Sequence, residues 1–248
     1  MDDLQPVRNE PVLVSKKHKL LVVADIHIGI ENEFYNHGIS IDSQSISIIK
    51  RLTNLIRKYK VEEVILLGDV KHSIPSAPRR EQSDVKKLID TIKTHDCTIR
   101  ILPGNHDGGL KDIITGCASI QPSTGFVYND TGFLHGHCWP SKELIECDRL
   151  ITAHTHPTIM LRDRLGYTLF EQCWLRGYLL ADQIKKRYNV DKEKMIEVII
   201  MPAFNRLCGG TAINKDGIVG PFDKITDILN LEVFLLDGSY LGLTKDIR

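Results

Sequence analysis

Five short polar clusters in this 248-residue chain combine carboxylates, an amide and imidazoles, the donor types that hold divalent cations. They are Asp25-x-His27, Gly68-Asp69, Gly104-Asn105-His106-Asp107, His135-Gly136-His137 and His154-Thr155-His156. Residues i and i+2 of an extended segment point the same way, so Asp25 with His27, and His154 with His156, are each expected to grip a cation as a pair. Asp25, His27, Asp69, Asn105, His135, His154 and His156 together offer oxygen and nitrogen donors and no thiolate. Such a set suits hard or borderline divalent ions such as Mn, Fe, Zn, Co or Ni. Any one cluster alone reads as a turn, a cap or a packing residue. Their recurrence at one kind of place is what carries the inference.

That place is the loop after a buried strand. Leu20–Asp25 and Glu63–Asp69 each hold a continuous apolar run, the pattern of a strand covered on both faces, Cys97–Gly104 reads as a third strand, and each ends in one of the polar clusters. Two amphipathic segments lie between them. One runs from Asp42, read as its N-cap, and places Ile46, Ile49, Leu52, Leu55, Ile56 and Tyr59 on a single stripe; the other spans about Arg80 to His95 with Val85, Leu88, Ile89 and Ile92. Strand, helix, strand, helix, strand implies a mostly parallel sheet, and open sheets of this kind bind ligands beyond the carboxyl ends of their strands. Residues before Lys19 read as a polar lead-in. Beyond residue 125 the apolar segments are short and closely spaced, with an Asp237-Gly238 turn in the last, so a second and more antiparallel sheet is expected. No linker divides the halves, and 1–248 reads as one domain.

Composition narrows the class. Lys plus Arg total 32 against 32 Asp plus Glu, so no global positive field advertises nucleic acid, and binding to DNA would need a local patch. The acidic start and the absence of a long apolar run read as a cytoplasmic protein with no membrane partner. Six cysteines without a CxxC pair argue against a zinc ribbon and a dense disulfide framework; they are expected to be reduced, and mostly buried or inert.

Taken in order, D-x-H, G-D, G-N-H-D, a single His and x-H-x-H resemble the motifs of the calcineurin-like metallophosphoesterases, with Ala153 where the family usually has Gly. VADIHIGIENEFYNHGISI, LLGDVKHSIP, AHTHP, CWLRG and IIMPAFNRLCGG look like the subgroup described as DNA ligase-associated or archaeal phosphoesterases, over roughly residues 20 to 213. The resemblance implies a four-layer α/β/β/α sandwich of two mixed sheets. It implies a first cation on Asp25, His27 and His156, a second on Asn105, His135 and His154, and Asp69 bridging them. Mn is the first choice of metal. It places His106 opposite the leaving oxygen as acid, with Asp107 orienting it, and allows substrate contacts from His72, His137 and Arg206. Gly209 and Gly210 resemble the subgroup's closing loop.

The activity so implied is hydrolysis of a nucleotide or nucleic-acid phosphodiester by in-line attack, with a link to DNA repair and a DNA helicase or ligase partner. A phosphomonoesterase acting on a small metabolite, and a non-catalytic scaffold for a protein partner, are the other readings. Trp139 and Trp174 are read as packing rather than base-stacking residues, and Arg79, Arg80, Arg162 and Arg164 as a solvated face.

Overall fold

A computed structural model describes residues 3–190 and 195–247 of the chain. Its first sheet carries β1 (Leu4–Pro6), β2 (Val12–Ser15), β3 (Leu20–Ala24), β4 (Glu63–Leu67), β5 (Thr98–Leu102) and β6 (Ser119–Ile120), laid side by side in chain order. β1, β2 and β3 are antiparallel, whereas β3 to β6 are parallel neighbours. Helices α1 (Glu31–Asn36) and α2 (Ser45–Tyr59) join β3 to β4; α3 (Arg79–Lys93) joins β4 to β5, and α4 (Leu110–Ile113) precedes β6.

The second sheet is built from β7 (Phe126–Tyr128), β8 (Thr131–Phe133), β9 (Arg149–Thr152), β10 (Pro157–Arg162), β11 (Thr168–Tyr178), β12 (Glu197–Ile200) and β13 (Thr211–Ala212), in the order β13-β10-β11-β12-β9-β8-β7. A hairpin of β14 (Glu232–Leu235) and β15 (Tyr240–Leu243), turning at Asp237-Gly238, adds to β11. Pairing is mixed: β8 with β9 and β9 with β12 are parallel, whereas β10, β12 and β14 run antiparallel to β11. Short helices α5 (Lys142–Ile145), α6 (Ala181–Tyr188) and α7 (Ile213–Asp216) accompany it.

The period of two along β3 explains the layers. Leu20, Val22 and Ala24 join Ile65 and Leu67 against Phe133, Leu150, Ile151 and Val198 of the second sheet. Leu21 and Val23 turn the other way, onto Leu52, Ile56, Val85 and Leu88 of α2 and α3. Leu144, Ile145, Ile184 and Ile213 of α5, α6 and α7 complete the core on the second sheet's side. The α/β/β/α arrangement follows.

Three local expectations are corrected. The lead-in is not all polar, because Val12, Leu13 and Val14 of β2 are buried; the run is only four residues long and follows Pro11, too short to stand out. Ile46 is exposed at 67% and Ile48 takes its place at 6%. At about 100° per residue Ile46 falls roughly 110° from the middle of the buried arc, outside the stripe. Asp42 does not cap α2, which starts at Ser45 after Gln44; there the Ser45 hydroxyl donates to Asp84 Oδ2 of α3 at 2.9 Å, tying the two helices together.

Candidate functional site

The five polar clusters meet at the carboxyl edge of the first sheet, where the loops after β3, β4 and β5 face those after β8 and β9. Asp25, His27, Asp69 and His156 form one group of side chains whose donor atoms all lie within 4.8 Å of one another; Asp69, His135 and His154 form a second. Asp69 belongs to both. Its Oδ2 lies 3.5 Å from His27 Nε2 and 3.2 Å from His135 Nε2, while Asp25 Oδ1 lies 3.4 Å from His156 Nε2 and 3.6 Å from His135 Nδ1.

The way these residues converge differs from the sequence reading. Asp25 (φ 52°), His27 (φ 44°), Asp69 (φ 48°), His154 (φ 68°) and His156 (φ 46°) all occupy the left-handed region rather than an extended one. Each such non-glycine residue costs on the order of 1–3 kcal/mol, so the surrounding fold must hold it there. Left-handed turns, not strand pleat, aim the side chains. His154 and His156 accordingly fall into different groups instead of acting as one pair. Ala153 has no such φ; it is buried and its N–H donates to His135 O at 2.9 Å, so the position needs no glycine.

Two true glycines are required by close approach. A Cβ on Gly68 would lie 2.0 Å from His135 Nδ1, and one on Gly104 would lie 2.1 Å from Asp69 Oδ1. The bare backbone at these points lets the two loops close around the site.

Three of the rings, those of His27, His135 and His156, are held by the nitrogen turned away from the orphaned one. His27 Nδ1 is 3.1 Å from His72 Nδ1, and His72 Nε2 meets Glu33 Oε2 at 2.8 Å. His135 Nδ1 faces Leu67 O at 3.2 Å, and His156 Nδ1 faces Gly209 O at 3.0 Å. The inward atoms, Asp25 Oδ1, His27 Nε2, His135 Nε2 and His156 Nε2, are buried without a hydrogen-bond partner among the described residues; the 3.2–3.6 Å approaches between them lack hydrogen-bond geometry. Buried polar atoms are almost always satisfied. Four orphans around one point, all of types that ligate, fit divalent cations, and the outward hydrogen bonds are those that fix a ligating imidazole.

The electrostatics agree. Burial alone would raise Asp25 and Asp69, yet the neighbouring histidines, His156 and His135 foremost, hold both carboxyls below their ordinary range. Burial pushes His27 down to about 3 and His154 down to about 4, leaving both neutral and able to ligate. His135 is raised to about 9 although burial opposes it, because Asp69 and Asp25 stand against its ring. Positive charge is wanted here.

His106 lies beside the first group, its ring centroid 4.8 Å from that of His27, and its N–H donates to Asp69 Oδ1 at 2.9 Å. Its Nδ1 pairs with His72 O, which leaves Nε2 unengaged by that bond. Asp107 does not orient this ring. Its carboxylate is buried and accepts from Val70 N (2.9 Å), Lys71 N (3.2 Å) and Gly104 N (2.8 Å), clamping the β4 and β5 loops together. Burial raises its pKa to about 6. Beneath it, the fully buried Lys71 donates to the carbonyls of Ser73 and His106.

The remaining candidates line the rim. Asn105 is exposed between Gly104 and His106. His137 is half-buried, 5.3 Å from His135 between ring centroids, with its Nδ1 lacking a partner among the described residues. Arg206 is exposed on the loop after β12, between Asn205 and Cys208. Trp174 is buried in the core, and Arg187 stacks over the half-buried Trp139, so both indoles pack.

Sequence reasoning passed over three residues. Glu81 is buried and accepts from His72 N, Ser73 N and Ser73 Oγ, holding the His72 turn. Asn205, also buried, donates to Ile26 O and His27 O at 3.0 and 3.3 Å. Cys208 has its sulfur within 4.8 Å of donor atoms of His27 and His156. Glu81 and Cys208 stand far from the five clusters in sequence, and no spacing rule points to them.

No sequence among curated proteins matches the chain significantly. Among solved structures, that of Pseudomonas putida nuclease MPE is similar at a TM-score of 0.59 and 17% identity, covering 97% of this chain and 100% of its own. YfcE, a phosphoesterase from E. coli, matches at 15% identity over 90% of this chain and 96% of its own, with a TM-score of 0.39. The calcineurin-like phosphoesterase family model matches residues 18–192. With that match spanning most of its length, the chain belongs to the calcineurin-like phosphoesterases, a family that works with paired metal ions.

Proposed function

We propose that this protein is a phosphodiesterase that cleaves a nucleotide or nucleic-acid phosphodiester with two divalent cations, Mn foremost. One observation carries the reading: two groups of donor side chains share a single carboxylate, Asp69, and four of their inward atoms, Asp25 Oδ1, His27 Nε2, His135 Nε2 and His156 Nε2, are buried without a partner among the described residues. Asp25, His27, Asp69 and His156 would hold one cation, and Asp69, His135 and His154 with Asn105 the other. Such a pair supplies water activation near neutral pH and stabilises charge on the attacking and leaving oxygens of an in-line displacement.

The chain's own residues do the rest. Gly68 and Gly104 admit the two loops, and Asp107 locks them. His72 holds His27 from behind and, through its carbonyl, fixes the proton of His106 on Nδ1. When His106 is doubly protonated its Nε2–H donates to the leaving oxygen. His137 and Arg206, at the rim, contact the phosphoryl oxygens or the flanking substrate.

Nucleic acid is the first substrate class to test, because the P. putida protein of this fold is a nuclease. A role in DNA repair beside a helicase or ligase, and a cytoplasmic location, complete the proposal. In favour of a reducing compartment, all six cysteines are unbridged. Among the described residues no helix is long and apolar enough to cross a membrane.

The test is turnover by stripped protein reloaded with Mn, on bis-p-nitrophenyl phosphate and on p-nitrophenyl phosphate. Diester cleavage should exceed monoester cleavage, Asp69→Asn should lose metal and activity, and His106→Ala should keep metal while losing about 10²–10⁴-fold in kcat. Preference for the monoester would move the protein to the phosphomonoesterases, and no turnover with Mn, Fe, Zn, Co or Ni would remove the enzymatic reading. Linear and single-stranded DNA, cyclic nucleotides and mononucleotides then narrow the substrate; weak binding of every nucleic acid at low salt would end the repair link.

A further inference from the structure

We propose that Cys208 is a thiolate ligand of the first cation, beside His27 and His156. The proposal rests on the dinuclear reading above and adds a donor of a different chemical kind to it.

The loop that carries Cys208 is built onto the backbone of the first group. Phe204 N donates to Ala24 O at 2.9 Å and Asn205 N to Asp25 O at 3.3 Å; the Asn205 amide then reaches Ile26 O and His27 O. Cys208 N donates back to Asn205 O at 3.1 Å, Gly209 O receives His156 Nδ1, and Thr211 N donates to His156 O at 3.2 Å. Cys208 is therefore anchored on both sides to the chain segments that carry Asp25, His27 and His156. Its Sγ lies 3.8 Å from Asp25 O, at the outer limit for a weak thiol donor.

A cysteine beside a loop carbonyl would signify nothing alone. Here its sulfur stands within 4.8 Å of donor atoms of His27 and His156, and His27, 3% exposed, has its Nε2 buried and unpartnered among the described residues. A thiolate sulfur and an imidazole nitrogen on one ion, at about 2.3 and 2.0–2.1 Å, are separated by at most about 4.4 Å, so a shared cation would draw these three atoms, all within 4.8 Å of one another, slightly together. Coordination breaks the Cys208 S–H bond, releases the proton to solvent and forms the sulfur–metal bond. The added soft, anionic donor makes the first position more receptive to zinc, cobalt or iron than the second, which has only oxygen and nitrogen donors.

The experiment is cobalt titration of the full-length, metal-stripped chain, read by absorption. Wild type should develop visible cobalt bands together with near-ultraviolet sulfur-to-cobalt charge transfer. Cys208→Ser should keep the visible bands and lose the charge transfer, while Cys138→Ser keeps both. X-ray absorption of the zinc-loaded wild type should show a sulfur neighbour at about 2.3 Å. A residue-specific readout needs no variant: zinc should protect Cys208, but not Cys117 or Cys138, from alkylation mapped by peptide mass. Visible bands without charge transfer, or charge transfer that survives in Cys208→Ser, would overturn the proposal and leave the dinuclear centre standing. A wild type that binds no cobalt would instead remove the dinuclear reading, and this proposal with it.

Discussion

Substituting Gly68 by Ala separates two costs that the site imposes on its backbone. Gly68 has φ +81°, and the added methyl carbon would lie 2.0 Å from His135 Nδ1 and 2.3 Å from its Cγ. His135 is fully buried, packed under Leu67 O and against both carboxylates, so its ring has nowhere to retreat. A left-handed Ala costs about 1–2 kcal/mol, and forcing extra volume into a packed site adds about 1–3 kcal/mol, for a total near 2–5 kcal/mol. Gly38→Ala is the control, since Gly38 has nearly the same φ, +79°, with nothing within 4 Å of its Cβ. It should cost only the backbone share. Urea unfolding of both variants measures the difference, and metal analysis follows the second cation, which Gly68→Ala should lose with the displaced His135. Equal destabilisation of the two variants, with full metal content in Gly68→Ala, would refute the claim that this glycine exists to admit His135.

Further outcomes follow from the same structure. Asn205→Ala removes two buried donor bonds under the first group and should destabilise by about 2–4 kcal/mol in urea, while Asn205→Asp, which keeps the acceptor for Leu207 N, should be no better. Burial raises the pKa of Glu197, but its pairs with Arg149 and Arg176 outweigh that, so its folded pKa lies below 4.5. A depressed carboxylate pKa means the stabilisation is fully present above 4.5 and fades as pH falls through the folded value. The gap in unfolding midpoint between wild type and Glu197→Gln should thus be wide at neutral pH and close in acid; a constant gap would contradict the pairing. Ile46→Ser should stay within about 0.5 kcal/mol of wild type, whereas Ile48→Ala should cost about 2–5 kcal/mol, as thermal or urea unfolding will register.

What could be read before any coordinates was whatever depends on local pattern. Continuous apolar runs at β3 and β4 and the 3.6-residue period of α3 arise from short-range sterics and burial, so they are visible residue by residue. The order of the five clusters was equally plain, and with it the family and the layered architecture. The stripe on α2 was legible except at its start, where one residue of phase moved Ile46 into solvent.

Other facts belong to the assembled molecule, because they depend on contacts between distant segments. The left-handed turns at Asp25, His27, Asp69, His154 and His156 are strained conformations that Asp and His enter more readily than most residues, but the surrounding fold has to hold them there. The resemblance gives Asp107 the task of orienting its neighbour His106, yet its carboxylate is occupied by backbone N–H groups up to 37 positions away. Cys208 lies 181 positions from His27 in numbering, by subtraction, and comes within 4.8 Å only because the loop after β12 folds back over the end of β3. Donor types are inscribed in the chain, but which donors face one another is decided by packing.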